Sequence, residues 1–127
     1  MKNKYITLLV ALASFFSATS QNYNITFQVD MSTVDPTTFT TPEVNGTFNG
    51  WCGSCAAMTD ANGDNIWDVT INMAAGSYEF KFSADNWGIQ ESLLPGSPCT
   101  VTNFGFTNRI LNVSGDTTLS AVCWESC

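Results

Sequence analysis

Two short stretches, Asn45-Gly-Thr-Phe-Asn-Gly-Trp51 and Gly76-Ser-Tyr-Glu-Phe-Lys-Phe-Ser-Ala-Asp-Asn-Trp87, carry the residues best suited to binding chemistry. Trp51 follows a strand-like segment among Gly and Asn, and Trp87 sits in a polar Asp-Asn-Trp-Gly turn. A large apolar ring in such a place either caps a core or meets a ligand. A pyranose offers a flat patch of C–H groups edged with hydroxyls, and its complement is an aromatic plate with a few fixed hydrogen-bond groups at the rim. Lys81, Asn108 and Gln90 supply groups of that second kind. Trp67, on the apolar side of an alternating segment, is expected in the core.

Other chemistries find little support. The chain has no histidine, which removes Ser-His and Cys-His nucleophile systems. A carboxylate pair drawn from Glu79, Asp85 and Glu91 would need a cleft that shuts out water, and a domain this small offers a shallow face. A non-catalytic protein without a cofactor is expected. Cys52-Gly-Ser-Cys55 has redox or zinc spacing, but in a non-helical loop without histidine it reads as a local disulfide that stiffens the loop bearing Trp51. Asp60, Asn62 and Asp64 alternate like calcium ligands. Asn65 stands where that loop needs glycine and no glutamate follows at the twelfth position, so a turn is the expected reading and calcium the weaker one.

These residues must be positioned by strands. From Tyr23 to Met31 the odd positions are apolar and the even ones polar, a period of two that predicts a first strand. Val44 and Phe48 face inward around a second. Trp67, Val69, Ile71 and Met73 alternate with Asp68, Thr70 and Asn72. Ala74-Ala75-Gly76-Ser77 then reads as a tight reversal into Tyr78, Phe80 and Phe82, a hairpin. If those three fill the core, Glu79, Lys81 and Ser83 face out. Thr107–Val113 and Thr117–Trp124 complete the set. The spacing predicts an all-β, antiparallel β-sandwich of immunoglobulin-like proportions with about 7–8 strands.

Residues 1–20 read as a secretory signal: Lys2 and Lys4, an apolar run from Tyr5 to Phe16, then Ser17-Ala18-Thr19-Ser20, with cleavage expected after Ser20. Residues 21–127 then form one domain, secreted or at the cell surface. Its only cations are Lys81 and Arg109 against eleven carboxylates, a formal charge of −9, which disfavours nucleic acid and anionic membranes as partners. All five cysteines lie in this exported part, where thiols oxidise. Cys99 is expected to pair with Cys123 or Cys127. The odd count leaves one over, and Cys127, the last residue, is taken as the sign of a longer protein.

In order, Val44 to Trp51, the segment through Phe82, then Trp87 and Thr102-Asn-Phe-Gly-Phe-Thr-Asn108 resemble the starch- and glycogen-binding modules of the AMP-activated protein kinase β-subunit and glycogen branching enzyme type. The likeness spans roughly Val44 to Val113. It implies an immunoglobulin-like sandwich that binds α-glucan through Trp51, Lys81, Trp87 and Asn108, with β-glucan the second possibility. It also implies an attachment, C-terminal to this chain, to a secreted bacterial polysaccharide-degrading enzyme. The alternative is a structural or adhesive spacer with no sugar site, in which Trp51 and Trp87 are buried. The chain departs from the family pattern at the expected site: Trp87 comes one residue early, and Cys52-Gly-Ser-Cys55 follows directly on Trp51.

Overall fold

The computed structural model describes residues 20–127, so the expected signal lies outside the described residues except for Ser20. Two sheets pack face to face as an all-β sandwich. The first contains β1 (Asn22–Asp30), β3 (Ile66–Ala74), β8 (Thr117–Thr118) and β9 (Val122–Cys123). The second runs β2 (Pro42–Gly46), β4 (Gly76–Ala84), β7 (Phe106–Val113), β6 (Thr100–Asn103), with β5 (Ile89–Gln90) also on β4. The nine strands exceed the expected number because the Thr117–Trp124 segment breaks into two short pieces, and β5 and β6 were not foreseen. Two 3-10 turns, Thr47–Asn49 and Ser54–Ala56, are the only helical segments among the described residues. None is long and apolar enough to cross a membrane.

The alternation seen in the sequence sets the pairing. β1 and β3 align Tyr23 with Met73, Ile25 with Ile71, Phe27 with Val69 and Val29 with Trp67, so the apolar sets of both strands share one face. That face meets Val44, Phe80, Phe82, Leu111 and Val113 of the other sheet. Phe27 packs edge-on to Phe80 at 5.1 Å between ring centroids, and Phe48 covers Phe27 at 5.4 Å. A fully buried side chain such as Phe27 contributes about 1.5–3 kcal/mol. Trp67 packs on the core margin beside Phe39, as its parity requires.

The expected hairpin between β3 and β4 does not form. β3 pairs with β1, whereas β4 pairs with β2 and β7, and the single residue Ala75 carries the chain from one sheet to the other. Short spacing and a turn-like composition suit a hairpin and a sandwich corner equally. The long matched register with β1 decides for the corner.

The cysteines pair as Cys52–Cys55 and Cys99–Cys127, leaving Cys123 free and exposed. The local disulfide agrees with the expectation, but the residue left over is Cys123 rather than the terminal Cys127. The pairing ties the chain end to the loop before β6. There Arg109 and Glu91 form a two-pronged ion pair, Nε to Oε1 at 2.8 Å and an η nitrogen to Oε2 at 2.6 Å, with both side chains buried. Glu91 also accepts the Phe82 amide, and Arg109 donates to the Ser126 carbonyl and lies over the Phe82 ring.

Candidate functional site

The outward face of the second sheet carries a groove of about 460 Å³ with a mostly apolar lining. Trp51, Lys81, Trp87 and Asn108 all border it, with Gln90 at the rim. Its floor is built by alternation: Phe80 and Phe82 of β4 point into the core, so Glu79 and Lys81 point out. Asn108 reaches the same face from β7.

Trp51 is placed by a tight local fold. The 3-10 turn Thr47–Asn49 is closed by the Gly46 amide donating to Asn49 Oδ1, and Gly50 and Trp51 then both adopt left-handed backbone, φ 63° and 58°. The Trp51 amide donates back to the Gly46 carbonyl at 3.0 Å. Trp87 ends a run of three left-handed residues, Asp85, Asn86 and Trp87, with φ 53°, 55° and 67°. Asp and Asn tolerate this region, but for a tryptophan it costs roughly 1–2 kcal/mol. Two tryptophans held so, both bordering one groove, are backbone strain of the kind that gathers at functional sites.

A buried polar network pins both loops to the sheet. Asn45, fully buried, donates to Ser83 Oγ at 2.8 Å and accepts the Gly53 amide at 2.7 Å. Ser83 donates to Glu43, whose carboxylate accepts the Asn86 amide at 3.0 Å. Asp85 accepts the Thr40 and Thr41 amides, both at 2.8 Å. The disulfide loop also presses on the second tryptophan's turn, and Trp87 Nε1 donates to the Trp51 carbonyl. The two indoles stand 6.4 Å apart at 36°. Both are half-buried and border the groove, and Trp87 is anchored by its indole nitrogen. Loops so tied present their rings in one geometry before a ligand arrives.

Lys81 is half-buried and has no ion pair among the described residues. Burial holds its pKa below the usual lysine value, partly opposed by the charge of Glu91. A surface ion pair is therefore not its task. Asn108 is mostly buried and donates its amide nitrogen to Glu79 Oε2 at 2.9 Å, which leaves Oδ1 for a ligand. Glu79 takes a second hydrogen bond from Asn103. The sequence reading missed Asn103, Glu79, Phe104 and Phe106 as groove residues. The available signal was Phe-Gly-Phe in an otherwise polar Thr-Asn stretch.

Asp60, Asn62 and Asp64 lie on the far hairpin turn and serve its backbone. Asp60 accepts the amides of Gly63, Asp64 and Asn65, and Asp64 accepts that of Ile66. Among the described residues no three His, Cys, Asp or Glu side chains gather as metal ligands. Of the carboxylates weighed for catalysis, Glu91 is held by Arg109 and Asp85 caps the Thr40–Thr41 amides, so neither faces the groove with a free oxygen pair.

No protein-family model matches the chain, and no curated protein matches it.

Proposed function

We propose that the groove is the binding face of a non-catalytic carbohydrate-binding module that takes a glucan chain. The observation that carries this reading is that Trp51, Lys81, Trp87 and Asn108, contributed by separate segments, border a single groove. The indoles stack on sugar faces while the Lys81 ammonium and the Asn108 carbonyl oxygen bond to hydroxyls. A spacer without a sugar site would have both rings buried, and the half-buried indoles bordering open space favour the binding reading. α-Glucan is the first candidate ligand and β-glucan the second.

Stacking plus a few exposed hydrogen bonds, opposed by ordering of the glycan, gives an affinity of order 10 μM to 1 mM. Such a site gains from being tethered to, or acting beside, a glycoside hydrolase on the same polymer. Export fits the two disulfides, which persist in oxidising compartments. The test is affinity electrophoresis of residues 21–127 through gels containing glycogen, amylopectin, laminarin or no polysaccharide. Retardation by one polymer, lost in Trp51→Ala and Trp87→Ala, is the expected result. Equal mobility in every gel would overturn the reading in favour of a spacer.

A further inference from the structure

The groove has a second aromatic side. Phe104 and Phe106 border it from the β6–β7 hairpin, while Trp51 and Trp87 come from the ends of β2 and β4. In the sheet order the hairpin and β2 lie on opposite sides of β4, so the aromatic groups flank its outward face. Phe104 is fully exposed and Phe106 largely so. Phe104 also occupies the first position of a two-residue turn, Phe104-Gly105, with φ 52° and 86°. Asn or Asp is the usual choice there, because both central residues need positive φ. An exposed phenylalanine gains nothing from folding at that site, and the groove gives its ring something to meet.

The β4–β7 ladder joins the hairpin to the floor as far as the Phe80–Arg109 pair, and beyond it one side chain ties the hairpin's outer part to β4. Glu79 of β4 accepts from Asn103 of β6 and from Asn108 of β7, so its carboxylate is occupied by amide donors rather than by a cation. The groove thus holds one ammonium with no ion pair among the described residues and one hydrogen-bonded carboxylate, in a domain whose formal charge is −9. Uronate or sulfated chains would meet that carboxylate and the overall negative field, opposed only by the single Lys81 ammonium. An uncharged chain meets neither penalty.

We infer that the groove grips a single neutral glycan chain between two aromatic walls, that Phe104 and Phe106 form the second wall, and that Glu79 is the positioning residue which holds it. This rests on the sugar-binding reading and adds the wall, the positioning residue and the exclusion of anionic polysaccharides.

The experiment is calorimetric titration of residues 21–127 with maltoheptaose, laminariheptaose and a heptameric oligouronate, folding being checked by circular dichroism. Because Phe104 is wholly exposed, Phe104→Ala leaves the fold intact. It is expected to weaken binding of the preferred neutral heptasaccharide about three- to tenfold, the worth of one aromatic contact. Phe106→Ala should act alike, and the oligouronate should not bind. In a Glu79→Ala background the effect of Phe104→Ala should shrink below about twofold, since the outer part of the hairpin then loses its side-chain tie to β4 and the wall its fixed position. Full affinity in both Phe variants, with binding abolished in Trp51→Ala, would overturn the second wall and leave the sugar site standing. Additive losses for Glu79 and Phe104 would overturn the positioning role, and preference for the oligouronate would overturn neutrality. Failure of the parent to bind either neutral sugar would overturn both readings.

Discussion

Trp87 Nε1 donates to the backbone carbonyl of Trp51 across 3.3 Å, so the two indoles are parts of one unit although they lie far apart in sequence. What lets their loops approach is Gly53. A Cβ there would come 2.1 Å from Asn86 Oδ1 and 3.1 Å from Trp87 Cδ1, and its φ of +81° already favours glycine. Gly53→Ala is therefore expected to destabilise the protein by about 1–3 kcal/mol. It should also separate the two loops. Thermal melting gives the first effect and near-ultraviolet circular dichroism of the tryptophans the second. An unchanged near-ultraviolet signal would mean that the loops do not hold each other.

The two disulfides should differ in what they stabilise. Cys52–Cys55 closes a loop with a sequence separation of 3, and Cys99–Cys127 one of 28. Chain-entropy arguments assign about 2 kcal/mol to the first and about 3.5 kcal/mol to the second. Replacing Cys52 and Cys55 together by serine should thus cost less stability, yet loosen the loop beside Trp51 and weaken glucan retardation. Replacing Cys99 and Cys127 should lower the denaturation midpoint more and leave retardation of the folded protein unchanged. Urea titrations of both double variants, run beside the affinity gels, read the two effects separately.

Arg109 and Glu91 are buried together, and removal of either partner strands the other. Arg109→Met leaves the Glu91 carboxylate with the Phe82 amide alone, and should cost about 3–5 kcal/mol. The joint Arg109→Met, Glu91→Leu variant should recover a large part of that loss, because the uncompensated charge is gone. Chemical denaturation of the two variants checks this. A double variant as unstable as the single one would show that the pair contributes more than the relief of its own burial.

Much of the groove was legible because alternation is local. With Tyr78, Phe80 and Phe82 in the core, Lys81 must face out, and Trp51 and Trp87 fall in polar Gly- and Asn-containing turns that follow strands. What failed was non-local. Whether Ala74 to Ser77 is a hairpin or a sheet crossing depends on which partner each strand finds, and that choice is made by β1 and β2. The sequence narrows the partner of Cys99 to Cys123 or Cys127, and the choice of Cys127 depends on where the chain end lands. Inward Arg109 left a trace that could have been read. It shares parity with Leu111 and Val113, so a charged residue on the core side of β7 called for a buried acidic partner.

Lys81 offers the sharpest separation of function from stability. It is half-buried with no ion pair among the described residues, and burial lowers its pKa in the folded state. Folding therefore disfavours the charged form. Where lysine is protonated in both states, that penalty is fully present. As pH rises from the lowered folded value towards the unfolded value of 10.5, the unfolded chain binds more protons than the folded one and stability rises. Lys81→Met keeps the apolar stem and removes the charge, so at pH 7 the variant should be as stable as the parent or more so. Its advantage should shrink by pH 10. Melting curves of both proteins at the two pH values give the comparison, and the affinity gels should show weaker retardation of the variant at pH 7. A variant that melts lower at pH 7 and binds as well as the parent would make Lys81 a structural residue.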